Sequence, residues 1–301
     1  MDRTTIDAAG MAEGMVPGQL RYGELLLGAG TAYRWRKLTG WEELPSLDSG
    51  NVPRSGAHGA HLGSLLSQIR TIGLDEVIVR AEAFRFGAVV DTLNAGTPVT
   101  LDEQPLLVYI DDRGPLLSWA RITRRNVPVE PGYAIGTVTG AALQWEATDP
   151  RRYTPAVQYA ETGLPEPCLP WHTDPVTGKP RGIPASTGDI TACNLGDAPT
   201  HPVIVFRGPV DTPRLTNTTT GAVLEYRVAL DAGEELTVDT FAGTATLPTG
   251  ESLLGDASAE SWPEQAFTLD PDDNALEFRG AASVPADPRA AVAVRWRSAH
   301  W

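Results

Sequence analysis

Polar and apolar positions alternate with a period of two along most of the chain, the pattern of half-buried strands. Tyr33 and Trp35 lie opposite Arg34 and Arg36. Leu224, Tyr226, Val228 and Leu230 share one face, with Glu225 and Arg227 on the other. Around 203–206 both faces are apolar, Val203 and Val205 pointing one way and Ile204 and Phe206 the other, which predicts a strand covered on both sides. Helical spacing is almost absent. It predicts one short helix over 86–96, with Val89, Val90 and Leu93 on its apolar face and Gly96 as its stop.

The strand candidates fall into two groups. In the first half they cover 18–28, 32–41, 76–85, 104–114, 116–129 and 134–150, which with the helix suggests a small β-barrel with one opening covered. In the second half they cover 201–210, 222–230, 234–240, 243–254, 274–280 and 290–301. The 243–254 stretch is expected to be a hairpin turning at Pro248 to Gly250. Strands at this spacing without helices argue for a jelly-roll β-sandwich. Between the groups, 154–188 is rich in Pro and Gly and reads as a linker or long surface arm. The expected organisation is mainly β: residues 1–154 as one domain, then residues 155–301 as an arm (155–188) and a sandwich.

Charge separates the two halves further. Residues 1–154 carry 15 basic and 18 acidic side chains and residues 155–301 carry 9 and 20, so the net charge of −14 divides into −3 and −11. The first half can pack against copies of itself without strong repulsion, and the second suits a solvated, outward-facing unit. Tight binding to a phosphate backbone needs clustered Lys and Arg, which the chain lacks. No apolar run is long enough to span a bilayer, so no membrane insertion is expected. The N-terminus shows no basic start followed by an apolar run, so no secretory signal is expected. Two cysteines, Cys168 and Cys193, do not make a disulfide framework and fit synthesis in a reducing compartment.

The chemistry-bearing candidates are few. "VPRSGAHGAHLG" (52–63) places His58 and His61 three residues apart among Gly56, Gly59 and Gly63, with Arg54 upstream. Two histidines at this spacing could ligate zinc on a helix with a third ligand, and Arg54 with glycine backbone could cradle an anion. The glycines favour instead a mobile loop whose backbone can lie close to a neighbour. "GAGTAY" lacks the dinucleotide fingerprint, and "GESLLG" is no nucleophile elbow. The acidic clusters Asp111-Asp112, Glu234-Glu235 and Asp270-Asp272-Asp273 sit at expected turns, and "LDPDDN" lacks the spacing of a calcium loop. Asn217 opens a glycosylation sequon, read as chance without a secretory signal. Neither a catalytic set nor a cofactor set is complete. Eight tryptophans leave room for sugar stacking, with Trp171 the best candidate for an exposed contact and Trp35 and Trp296 expected in the core.

The order of the segments resembles a known family. "YRWRKLTGWEELPSLDSGNVPRSGAHGAHLG", "LQWEATDPRRY", "PVIVFRGPVDTPRLTNTTTGAVLEYRVALDAGEELTVDT", "LPTGESLL" and "VRWRSAHW" are similar to the distal tail proteins (Dit) of siphoviruses, long-tailed phages, of actinobacteria. The arm at 154–188 is longer than in that pattern, and "LDPDDN" stands where the pattern has a Pro-Gly-Asn turn. The resemblance implies a split barrel followed by a galectin-like sandwich. It also implies a hexameric ring in the virion, joining the tail tube protein to the tape measure and the tail-tip or tail-fibre proteins. The ring would leave a channel for DNA in transit, and the chain would be made in the host bacterial cytoplasm. In that setting Arg54, His58, Gly59, His61 and Gly63 would be ring-interface residues and not ligands, with no enzymatic activity, no metal and no cofactor. The alternative from a different class is a carbohydrate-binding jelly roll; a glycoside hydrolase or esterase is the least supported reading.

Overall fold

The structure is a computed structural model that describes residues 3–165, 186–281, 287 and 289–301, and the backbone of 172–173 and 180–181. It divides into two compact units, Asp7–Pro155 with Trp301, and Ala156–His300 with Met1–Ile6.

The first unit is built on one antiparallel sheet that curls into a nearly closed barrel. Its strands β1 (Gln19–Tyr22) and β2 (Leu25–Gly28) form a hairpin within the stretch that reads in sequence as one strand, turning at Gly23 with φ +53°. Next come β3 (Tyr33–Arg34), β4 (Lys37–Thr39), the short pairs β5 (Leu47–Asp48) with β8 (Leu66–Ser67) and β6 (Val52–Pro53) with β7 (Ala60–His61), then β9 (Arg70–Arg80). The long strands β10 (Gln104–Tyr109), β11 (Pro115–Asn126) and β12 (Thr137–Ala147) follow, and β13 (Arg152–Tyr153) pairs β11. The order is β2-β1-β10-β11-β12-β9-β3, with β4 also on β9. Alternation holds on either side of an irregularity at Asp75 and Glu76, where the register shifts: Ile72 and Leu74, then Val77 and Val79 of β9, join a core shared with Leu20, Leu27, Leu143 and Trp145.

Two α-helices occur in this unit, besides a 3-10 turn at Pro131–Ile135. The short α1 (Ala8–Ala12) is unforeseen by the apolar spacing; the Asp7 carboxylate accepts from the Gly10 N–H and starts it. The expected helix, α2 (Ala83–Ala95), begins three residues earlier than its apolar pattern and buries Phe86, Val90 and Leu93. The Tyr33 hydroxyl pins it to the barrel by donating to the Val89 carbonyl oxygen at 2.7 Å. Gly96 ends the helix, but at φ −77°, not in a left-handed turn. Its smallness serves packing: a Cβ there would stand 2.7 Å from the Leu25 Cβ.

The second unit is a β-sandwich. One sheet has the order β14 (Gln158–Gly163), β26 (Ala291–Trp296), β18 (Val203–Arg207), β23 (Glu235–Asp239), β24 (Thr244–Thr246). The other has the order β17 (Asp189–Asn194), β25 (Asp272–Arg279), β20 (Arg214–Asn217), β21 (Ala222–Glu225). Phe206 of the first sheet and Leu215, Leu276 and Phe278 of the second share one buried cluster. The strand β18 is covered on both faces, as its sequence predicts. Gln158–Gly163 corrects the reading of 154–188 as linker throughout: it pairs along its length with β26 and belongs to the sandwich. Two shorter pairs complete the unit, β15 (His172–Thr173) with β16 (Pro180–Arg181), and β19 (Val210–Asp211) with β22 (Ala229–Leu230). The 243–254 hairpin forms as expected, the Gly250 N–H donating to the Leu247 carbonyl.

Candidate functional site

The feature that sets the first unit apart from a plain barrel is the excursion between β4 and β9. From Trp41, buried in the barrel, the chain leaves the core, turns at 54–59 and returns to Arg70, also buried. Every residue from 46 to 62 is exposed. The two legs run as an antiparallel ribbon, Leu47 opposite Ser67 and Val52 opposite His61. At the tip the Arg54 N–H donates to the Gly59 carbonyl at 3.1 Å, and Gly56 and Gly59 take φ of +93° and +92°, a conformation that favours glycine.

The residues singled out in the sequence all lie on this arm. Arg54, His58 and Gly59 form the tip, His61 sits in the returning strand β7, and Gly63 follows it. Gly63 is a place of close backbone approach, but to the arm's own outgoing leg: a Cβ there would collide with the Gly50 carbonyl. Among the described residues no group of three or more His, Cys, Asp or Glu is placed to hold a metal ion.

What the sequence reading passed over is the apolar content of the arm. Leu44, Leu47, Val52, Leu62, Leu65, Leu66 and Ile69 are all exposed, Leu62 to 93%. The signal was present in "HLGSLLSQI", but among glycines and serines it shows no period and reads as loop. An isolated two-stranded ribbon is marginal in water, and seven exposed apolar side chains gathered in one excursion suit an interaction surface.

One buried cation holds the base of the arm. The Arg70 guanidinium donates to the carbonyl oxygens of Gly40 (2.7 Å), Trp41 (2.9 Å), Glu43 (2.8 Å) and Pro150 (2.6 Å). Burial pulls its pKa down to about 10, with the neighbouring Arg152 charge adding to the fall and Glu42, Asp149 and Glu43 opposing it. It stays charged at neutral pH and ties the outgoing leg to the strand on which the other leg ends.

The other candidates are structural. Asn274 of "LDPDDN" is buried and donates to the Asp270 carbonyl at 2.8 Å, which shapes that turn. Asn217 of the sequon is also fully buried, its amide donating to the Asn274 side chain at 3.2 Å. Trp296 is buried and Trp35 partly so, while Trp171 and Cys168 lie outside the described residues.

Comparison with known proteins agrees with this architecture. The family model described as siphovirus-type tail component, C-terminal domain, matches residues 195–298, which lie in the sandwich. No curated protein matches the chain. Among solved structures, the phage SPP1 Dit (gp 19.1) protein, described as a paradigm of the hub adsorption apparatus in phages infecting Gram-positive bacteria, is similar with a TM-score of 0.62. The two are 13% identical, over 92% of this chain and 97% of that one. The phage P2 baseplate in its activated conformation with Ca matches with a TM-score of 0.49 and 9% identity, over 93% of this chain and 98% of that one. Residues 195–298 thus match the model of a siphovirus-type tail component C-terminal domain, and the chain as a whole has a fold similar to that of the SPP1 Dit protein.

Proposed function

We propose that this chain is the ring-forming distal tail subunit of a siphovirus of an actinobacterial host. Six copies assemble through the Asp7–Pro155 unit, join the tail tube protein to the tape measure and the tail-tip or tail-fibre proteins, and leave a lumen for DNA in transit. The subunit is made in the host cytoplasm and has no catalytic function.

The observation that carries the reading is the arm of residues 44–69. It is a ribbon without a core, with Leu62, Leu65 and Leu66 in solvent and both backbone edges open. A second copy of the same barrel is the partner that closed symmetry supplies at no further cost in specificity. Charge favours the same unit, since its near-neutral balance limits repulsion at a contact repeated around a ring. In this arrangement Arg54, His58, Gly59, His61 and Gly63 lie against the neighbouring copy.

Deleting residues 54–61 is expected to abolish or weaken ring formation with both units folded, seen by negative-stain microscopy and native mass spectrometry with the tail tube protein present. Normal rings from the deleted chain would overturn the assignment.

A further inference from the structure

A second feature of the first unit has no part in that reading. Residues 28–35 form a ridge between two hollows of about 400 and 410 Å³, and Arg34 lines both. The first is floored by Gly18, Gly28 and Gly30, and the second is walled by Thr31, Ile78 and Arg80. The ridge is fixed in place: the Arg80 N–H donates to the Ala32 carbonyl at 2.9 Å, and the Thr31 hydroxyl donates to the Gly28 carbonyl at 2.9 Å.

We propose that these hollows are a binding site for an acidic peptide segment of a partner protein, with Arg34 and Arg80 receiving its carboxylates. Both arginines are exposed, and among the described residues neither has an ion pair, whereas Arg36 pairs with Glu76 at 3.9 Å. Two guanidiniums line the second hollow, and no carboxylate is among its lining residues. Each presents a planar fork that matches a carboxylate.

A third group points the same way. The Trp35 indole N–H is buried with no acceptor, and it lies beside Gly28, where a Cβ would stand 3.0 Å from it. The Trp35 side chain lines the first hollow together with Arg34, so its indole N–H reports on what binds there. Gly18 and Gly30 leave that floor open: no atom lies within 3.8 Å of a Cβ built at either. A bare floor of this kind admits an extended backbone.

A nucleic acid fits less well. Its affinity comes from many phosphate contacts, and two arginines on a chain of net charge −14 supply few of them. A short acidic segment needs only the two forks.

The test is titration of the ¹⁵N-labelled full-length chain with a hexaglutamate peptide. The indole N–H signals of the eight tryptophans are followed, with Trp35 assigned through Trp35→Phe. The Trp35 signal is expected to shift saturably. The double variant Arg34→Gln, Arg80→Gln should bind roughly tenfold more weakly, with the other indole signals unmoved. Parallel titrations use hexathymidylate and inorganic phosphate. No shift with the peptide overturns the site. An equal shift with hexathymidylate would make it a nucleic-acid site, and an equal shift with phosphate a general anion site; either overturns the peptide assignment. None of these outcomes depends on whether the arm builds a ring.

Discussion

Arg70 and Glu43 meet across the base of the arm, the guanidinium donating to the Glu43 carbonyl at 2.8 Å. One residue ends the arm's outgoing root and the other begins the strand to which the arm returns, so a single side chain closes the excursion. Replacing Arg70 with Met keeps much of its volume but removes every donor. The carbonyls of Gly40, Trp41, Glu43 and Pro150 then lose their donor; at Trp41, where the bond is buried, this costs about 1–3 kcal/mol, while the part-buried others can turn to water. The variant is expected to lose about 1–3 kcal/mol in urea unfolding. A midpoint equal to that of the wild type would show that the arm root does not depend on this clasp.

Leu62 and Leu66 lie in solvent on the returning leg, exposed to 93% and 64%. Exposed apolar side chains carry no folding free energy in the single chain. Leu62→Asp with Leu66→Asp is therefore expected to leave the thermal midpoint unchanged within a degree or two, while rings seen by native mass spectrometry fall away. A fall in the midpoint with rings intact would assign the two leucines to the fold and not to assembly.

Gly40 and Gly30 separate two reasons for a glycine. Both have positive φ, +72° and +78°. At Gly30 a Cβ would meet nothing, whereas at Gly40 it would collide with the Thr71 carbonyl. Gly30→Ala should cost about 1–2 kcal/mol, the left-handed backbone penalty alone. Gly40→Ala should cost distinctly more, because β4 must move off β9. Equal costs by denaturant titration would mean that the backbone at Gly40 relaxes freely.

Tyr226 is buried in the sandwich, and its hydroxyl donates to Glu264 at 2.9 Å. Burial, then the Glu264 charge, raises its pKa well above the ordinary tyrosine value of 10.0. The folded chain thus holds this proton where the unfolded chain releases it. The stability it contributes is complete below pH 10 and declines as pH rises above that value. Tyr226→Phe should flatten the decline, measured as the unfolding midpoint of the chain between pH 9 and roughly pH 11. An unchanged slope would place the alkaline sensitivity elsewhere.

The sequence by itself determined the class of both units. Alternation needs only neighbouring residues, so the two-faced burial of β18 and the opposition of Tyr33 and Trp35 to Arg34 and Arg36 could be read directly. The helix was legible through Val90 and Leu93, but its first turn was not. Ala83, Phe84 and Arg85 carry no helical pattern of their own, and the early start at Ala83 shows only in three dimensions, where the Ala81 N–H donates to the Gly136 carbonyl more than fifty positions away. Gln158–Gly163 escaped for a similar reason: an edge strand among Pro and Gly declares itself only by pairing with Ala291–Trp296, at the far end of the chain. The arm shows the same division. Its glycines and histidines marked the place in the sequence, but tertiary structure decided that its leucines stay outside the core, because burial depends on what folds over a residue and not on how apolar it is.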